Sequence, residues 1–178
     1  MKKVVVIAAL ALIGFGASAQ DIKLGVKAGA NFSNLKVDTD LGGGSPDGAT
    51  SFYIGGLVDF SVSEKFHVQP EVLYSIEGSK DEDISYVNIP LMGKFYLVEG
   101  FNIQAGPQLG ILVDAESGTE GLKSTNISLN VGAAYELEAG LFFDVRYNFG
   151  VSNILEDGDE FNTELNTKGF QVGLGYRF

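Results

Sequence analysis

Residues 101–113 read Phe-Asn-Ile-Gln-Ala-Gly-Pro-Gln-Leu-Gly-Ile-Leu-Val. Every odd-numbered residue of this stretch is apolar, whereas the even-numbered residues as far as Gly110 are polar or glycine. Successive side chains of a β-strand point to opposite faces, so this period of two predicts a strand with one apolar face and one polar face. The stretch is long enough to cross a bilayer, since a tilted transmembrane strand needs about 9–11 residues.

The same alternation recurs about eight times along the chain. The predicted strands are 22–33, 51–62, 66–77, 84–98, 101–113, 125–137, 140–152 and 168–178. Short turns at 63–65, 99–100 and 138–139 alternate with longer loops at 35–50, 78–83, 114–124 and 153–167. Short turns at one rim and long loops at the other predict an all-β fold, an eight-stranded antiparallel up-and-down transmembrane barrel.

The alternation alone does not decide which face lies outside. A soluble eight-stranded barrel turns its apolar face inward around a ligand. Here the polar face is rich in glycine, for example Gly25, Gly29 and Gly106, and a narrow lumen needs small residues. Aromatic residues such as Phe52 and Phe149 lie near strand ends on the apolar face, where membrane barrels carry aromatic girdles. The pattern therefore favours a polar, glycine-rich lumen and an apolar outer face.

The N-terminus has the three parts of a secretory signal peptide. Two lysines follow Met1, residues 4–16 are apolar, and Ala17-Ser18-Ala19 provides small residues for cleavage. We therefore expect residues 1–19 to be a signal peptide and residues 20–178 to be one barrel domain. The chain carries a formal net charge of −11 with no cysteine, so nucleic acid is not an expected partner and no disulfide framework exists.

Charged residues occur on the face that is predicted to line the lumen. They are Lys23, Lys27, Asp59, Glu71, Lys94, Glu136, Asp144, Arg146 and Arg177. Because an unpaired charge in a narrow interior is costly, we expect these side chains to pair in a structural network. A gated path for ions is the alternative interpretation of the same residues.

The chain ends on an alternating strand, Phe-Gln-Val-Gly-Leu-Gly-Tyr-Arg-Phe over residues 170–178. A terminal phenylalanine after alternating apolar residues resembles the signal that outer-membrane assembly machinery recognises. We therefore assign Tyr176 and Phe178 to this signal and expect the mature chain in a bacterial outer membrane.

Several short motifs, in this order, resemble the small outer-membrane barrels called PorT-like or "porin family" proteins. The motifs are KAGANFS at 27–33, QPEVLY at 69–74, VNIPLMGKFY at 87–96, GPQLG at 106–110 and GLGYRF at 173–178. The resemblance implies an outer-membrane barrel over the whole mature chain. It implies no single activity, although some members are linked to protein secretion, and the word "porin" is not evidence for a pore.

Two groups of residues are candidates for chemical sites. His67 is the single histidine and is expected near Ser61 and Asp59, which together suggest a catalytic triad. No nucleophile elbow or zinc-spaced pair supports catalysis, so a hydrogen-bonded cluster is the preferred interpretation. The acidic run 156–160 departs from the EF-hand spacing and is typical of a solvated loop. We therefore predict no catalytic, cofactor or metal site.

The sequence leaves three functions open. The first is a non-enzymatic barrel with a plugged lumen and acidic extracellular loops, in a structural or interaction role. The second is a narrow channel for ions or small solutes, and the third is a soluble ligand-binding barrel. The expected partners are outer-membrane lipid, lipopolysaccharide, the assembly machinery and a protein that meets the acidic loops; we expect a monomer.

Overall fold

The computed structural model describes residues 22–38, 49–79, 82–115, 123–151 and 164–178. The predicted signal peptide, residues 1–19, lies outside these residues. The strands are β1 (Ile22–Asp38), β2 (Ala49–Ser61), β3 (Phe66–Ser79), β4 (Glu82–Val98), β5 (Phe101–Ala115), β6 (Thr125–Glu136), β7 (Leu141–Gly150) and β8 (Glu164–Arg177). Within these ranges, no helix is long and apolar enough to cross a membrane.

Each strand pairs with its sequence neighbours in antiparallel orientation, and β1 pairs with β8 to close a barrel. The predicted eight-stranded antiparallel barrel is therefore confirmed. β1 and β8 extend beyond their predicted segments, because their backbone pairing continues as far as Asp38 and Glu164. The predicted segment ended at Ser33 because the even-numbered apolar residues of β1 stop at Phe32.

The strands are strongly staggered around the barrel. Following backbone partners from Ile22 through all eight strands leads back to β1 at Phe32, ten residues further along. With a rise of about 3.3 Å per residue and a strand spacing of about 4.8 Å, this stagger tilts the strands by about 40° and gives a backbone radius of about 8 Å. Side chains fill most of an interior of that size.

The polar face lies inside and the apolar face lies outside. In β8, Phe170, Leu174 and Tyr176 are exposed, whereas Gln171 and Arg177 are buried. The other strands follow the same order, so the exposed residues form an apolar surface around the barrel. This arrangement removes the soluble ligand-binding alternative, which requires the polar face outside.

The lumen is not polar throughout, because an apolar cluster lies inside near the long-loop end. Ile84, Tyr86 and Ala115 are buried together, and Leu112 packs against them. The register shifts between Ser85 and Tyr86, and this irregularity turns Ala115 inward although it has the parity of the outer face. The apolar cluster is a difference from the polar, glycine-rich lumen that the sequence predicted.

Two glycines show how closely the strands approach one another. A Cβ on Gly106 in β5 would lie 1.9 Å from the carbonyl oxygen of Leu91 in β4, so only glycine fits between these backbones. A Cβ on Gly56, on the outer face of β2, would have no heavy atom closer than 3.8 Å. The lumen-facing Gly106 is therefore a packing requirement, whereas the outward-facing Gly56 is not.

Three prolines interrupt the backbone pairing on one side of the barrel. Pairing stops for two positions between Leu57 and Phe60 of β2, which face the part of β3 that contains Pro70. Similar two-residue gaps occur beside Pro90, between β3 and β4, and opposite Pro107, between β4 and β5. Proline has no N–H to donate, which accounts for weak pairing at these sites.

Candidate functional site: the ion-pair network of the lumen

Four charged side chains meet in the middle of the lumen, and we call them the central cluster: Lys27, Glu71, Asp144 and Arg146. Arg146 on β7 donates two hydrogen bonds to the Glu71 carboxylate on β3, at 2.7 and 2.6 Å. Lys27 Nζ on β1 lies 2.8 Å from Asp144 Oδ2 and 3.8 Å from Glu71 Oε2. Arg146 Nε also lies 2.9 Å from Asp144 Oδ2, an ion contact without hydrogen-bond geometry. All four side chains are at most 1% exposed.

A second group, the rim cluster, lies at the short-turn end of the lumen. Its charged members are Asp59 on β2, Lys94 on β4, Glu136 on β6 and Arg177 on β8. Lys94 Nζ lies 2.9 Å from Asp59 Oδ2 and 2.7 Å from Glu136 Oε1. Arg177 Nη1 lies 3.1 Å from Asp59 Oδ2 and donates to Glu136 Oε2 at 2.7 Å, and Arg177 Nη2 contacts the other oxygen of Glu136.

A glutamine joins the two clusters. Gln69 Nε2 donates to Glu71 Oε1 at 2.6 Å, and Gln69 Oε1 accepts a hydrogen bond from Lys94 Nζ at 3.2 Å. Strand β5 also contributes, because Gln104 accepts from Arg146 at 3.1 Å and Asn102 donates to Glu136 at 3.1 Å. Side chains from all eight strands therefore belong to one continuous network. Its four cations balance its four carboxylates among the described residues.

Lys23 does not join this network, which corrects the sequence prediction for that residue. It is exposed at the end of β1, where solvent hydrates its ammonium group, although its backbone partner in β2 is Asp59. Asp59 is instead contacted by Lys94, Arg177 and His67. The other eight predicted residues all lie in the two clusters.

His67 contacts both residues that the sequence suggested as triad partners, but not in the order of a triad. Its Nδ1 lies 2.5 Å from Asp59 Oδ1 and 3.5 Å from Ser61 Oγ. A triad needs the carboxylate at one ring nitrogen and the nucleophile at the other. The His67 ring packs against Tyr96 with centroids 4.7 Å apart, and Tyr96 donates to Glu136 at 2.8 Å. These contacts make His67 and Tyr96 part of the rim cluster. Sequence parity alone indicated only that His67 faces inward.

Uncharged amides and hydroxyls line the lumen toward the long-loop end. Asn31 donates to Ser75 at 2.6 Å and accepts from Gln171 at 2.7 Å. On the opposite wall, Asn148 donates to Asn130 at 3.0 Å. Glu77 also lies here, and Asn88 donates to it at 2.6 Å. Charge is thus concentrated in the middle and at the short-turn end.

The two residues of the predicted assembly signal point away from the lumen. Tyr176 and Phe178 are exposed, their rings lie 5.4 Å apart, and the Phe178 N–H donates to the Leu24 carbonyl at 2.8 Å. The acidic run 156–160 lies outside the described residues. Within the described ranges, no group of three His, Cys, Asp or Glu side chains is arranged to hold a metal ion.

Comparison with known proteins agrees with this architecture. A family model described as "Outer membrane protein beta-barrel domain" matches residues 5–178. The chain belongs to this family. It is therefore a bacterial outer-membrane β-barrel protein. A comparison with curated protein sequences found no match.

Solved structures of small outer-membrane barrels share the fold. Neisserial surface protein A has a TM-score of 0.53 at 15% identity, over 89% of this chain and 100% of that chain. Ail, the attachment invasion locus protein of Yersinia pestis, has a TM-score of 0.53 at 13% identity, over 88% of this chain and 98% of that chain. A structure from the de novo design of transmembrane β-barrels has a TM-score of 0.50 at 9% identity, over 88% of this chain and 95% of that chain. At these identities the similarity shows the fold alone.

Proposed function

We propose that this chain is a non-enzymatic outer-membrane barrel whose lumen is plugged by its own side chains and whose role is structural or interactive. The observation that carries this proposal is the continuous network of the central and rim clusters. Its contacts cross the lumen, for example from Arg146 on β7 to Glu71 on β3. Side-chain contacts that span the lumen in its middle and again at its short-turn end support a closed interior.

The charge balance of the network also favours a plug over a filter. A selective pore presents a ring of one charge to the passing ion. Here each cation contacts at least one carboxylate, and Glu136 alone is bound by Lys94, Arg177, Tyr96 and Asn102. Separating a buried ion pair by removal of one partner costs about 3–5 kcal/mol, so an ion that displaced these partners would face a high barrier.

We propose that the acidic loops form the interaction surface. Nine of the 23 acidic residues lie between the strands, in 39–48, 80–81, 116–124 and 151–163, and five more lie in the strand ends that flank these connections. Hydrated acidic loops suit contact with a basic protein surface, or with lipopolysaccharide through divalent cations. Nucleic acid is not a suitable partner, because phosphate groups would be repelled. We propose that the barrel acts as a monomer.

Conductance in a planar lipid bilayer tests the plug. Purified, refolded protein is compared with Arg146→Ala, which opens the central cluster, and with Lys23→Ala, which changes an exposed lysine outside the network. We expect no conductance steps from the wild type or from Lys23→Ala. Reproducible wild-type steps whose size changes in Arg146→Ala would instead establish a channel and refute the plug.

A further inference from the structure

The outer face of the barrel carries four aromatic rings close together near its long-loop end. Phe32 on β1, Phe170 on β8, and Tyr147 and Phe149 on β7 are all exposed, and we call them the aromatic block. Phe170 is the backbone partner of both Phe32 and Tyr147, so the three strands place the rings side by side. The ring centroids of Phe32 and Phe170 lie 6.4 Å apart, and those of Tyr147 and Phe149 lie 4.5 Å apart. The aromatic block therefore offers lipid chains a continuous apolar surface across three strands.

Lys168 lies at the long-loop edge of the aromatic block. It precedes Phe170 by two residues on the same face of β8, and its backbone partner on β7 is Phe149. Ten residues separate Lys168 from Phe178. At a strand tilt of about 40° this is about 25 Å along the barrel axis, which is the height of the apolar band of an outer-membrane barrel. Lys168 therefore lies at one membrane interface when Phe178 lies at the other, and lipid phosphates occupy that level.

The charge on the outer face is uneven around the barrel. Among the outward-facing strand residues whose side chains the structure describes, only Lys168 and Asp114 are charged. Asp114 is exposed at the long-loop end of β5, where its backbone partner is Ser85 on β4. A phosphate is attracted by the ammonium group and repelled by the carboxylate. An anionic lipid would therefore bind beside the aromatic block and not on the β4–β5 side.

We propose that Lys168 and the aromatic block bind lipopolysaccharide, with a phosphate of its lipid A at the lysine and its acyl chains on the four rings. Lipid A has both features that this surface fits, since it carries phosphate groups close to several acyl chains. One lysine near an anionic lipid contributes about a fivefold gain in affinity. The assignment rests on the proposed extracellular position of the long loops, because lipid A occupies the outer leaflet of the outer membrane. It does not depend on whether the lumen conducts.

Titration of lipid A into the folded barrel in micelles of an uncharged detergent tests this site. Amide NMR shifts show where the lipid binds, and Ile103 and Ala105 on the outer face of β5 are the reference. We expect the largest shifts at residues 147–149 and 168–172, and an affinity about fivefold lower or less for lipid A without its phosphates. Equal shifts on β5 would overturn the proposal. So would an equal affinity for dephosphorylated lipid A or for phosphatidylglycerol.

Two lysine variants separate the site from a general effect of charge. Lys168→Gln should lower the affinity for lipid A about fivefold. Lys23→Gln removes the same charge from an exposed position at the other end of the barrel and should bind as the wild type does. Gel migration shows that each variant is folded, and an unchanged affinity in folded Lys168→Gln would overturn the proposal.

The position of the long loops is tested separately from binding. An epitope tag inserted at residues 156–160 should be labelled by antibody on intact cells. An unlabelled tag would overturn the proposal through the placement of the loops, even if Lys168 binds lipid A in micelles. The bilayer conductance experiment gives the state of the lumen independently of both results.

Discussion

Replacement of Arg146 by methionine tests how much the central cluster stabilises the barrel. The variant leaves Glu71 and Asp144 with Lys27 as their remaining ion partner, and Lys27 lies 2.8 Å from Asp144 but 3.8 Å from Glu71. Glu71 would then be a buried carboxylate that keeps the hydrogen bond from Gln69 and a longer ion contact. Removing one partner of a buried pair costs about 3–5 kcal/mol, so we expect the free energy of unfolding to fall by about 4 kcal/mol.

Urea unfolding in lipid vesicles measures this loss. The chain has no tryptophan, so the shift in gel migration between folded and unfolded barrel is a suitable signal. With a slope of about 2 kcal/mol per M, a loss of about 4 kcal/mol lowers the midpoint by about 2 M urea.

The double variant Arg146→Met with Glu71→Met is the matched control. It removes one cation and one carboxylate together, so the remaining network stays balanced, and a buried pair can often be replaced by apolar side chains at little cost. We expect the double variant to recover most of the stability that the single variant loses. A single variant as stable as the wild type would refute the stabilising role of the Arg146–Glu71 pair. A double variant no more stable than the single one would refute it as well.

Three further predictions concern other parts of the barrel. Gly106→Ala should lower the free energy of unfolding by about 1–3 kcal/mol, because the alanine Cβ would lie 1.9 Å from the Leu91 carbonyl oxygen. Gly56→Ala, whose Cβ would enter open space, should change the free energy of unfolding little in the same urea assay. Gln69→Leu, which breaks the link between Glu71 and Lys94, should cost about 1–3 kcal/mol, and a midpoint equal to that of the wild type would show that the two clusters are independent. Deletion of Phe178 should reduce the amount of folded barrel in the outer membrane of expressing cells, and an unchanged amount would remove this residue from the assembly signal.

The fold was predictable because every strand of a transmembrane barrel has the same alternation of apolar residues with glycine or polar residues. Lipid selects apolar residues on one face and a narrow lumen selects glycine and polar residues on the other, so parity alone placed residues such as Lys27 and Arg146 inside. Which partners meet across the lumen depends on the ten-residue stagger, and that stagger is a property of all eight strands together.

Parity was insufficient where a strand ends or is irregular. Lys23 has the lumen-facing parity, but its position at the barrel rim lets its side chain reach solvent. Ala115 has the parity of the outer face, but the irregularity in register near Tyr86 turns it inward. The role of Gln69 as the link between the clusters was also missed, since an uncharged residue gives no pairing signal in a sequence.

The proline interruptions make the wall of the barrel mechanically uneven. The pairing of β5 with β6 runs without a break from Phe101 to Ile111, and the ladders that join β6, β7, β8 and β1 are also continuous. The gaps beside Pro70, Pro90 and Pro107 all fall between β2 and β5. Lateral pressure from the bilayer would therefore flatten the cross-section preferentially along the β2–β5 side, while the opposite half keeps its curvature.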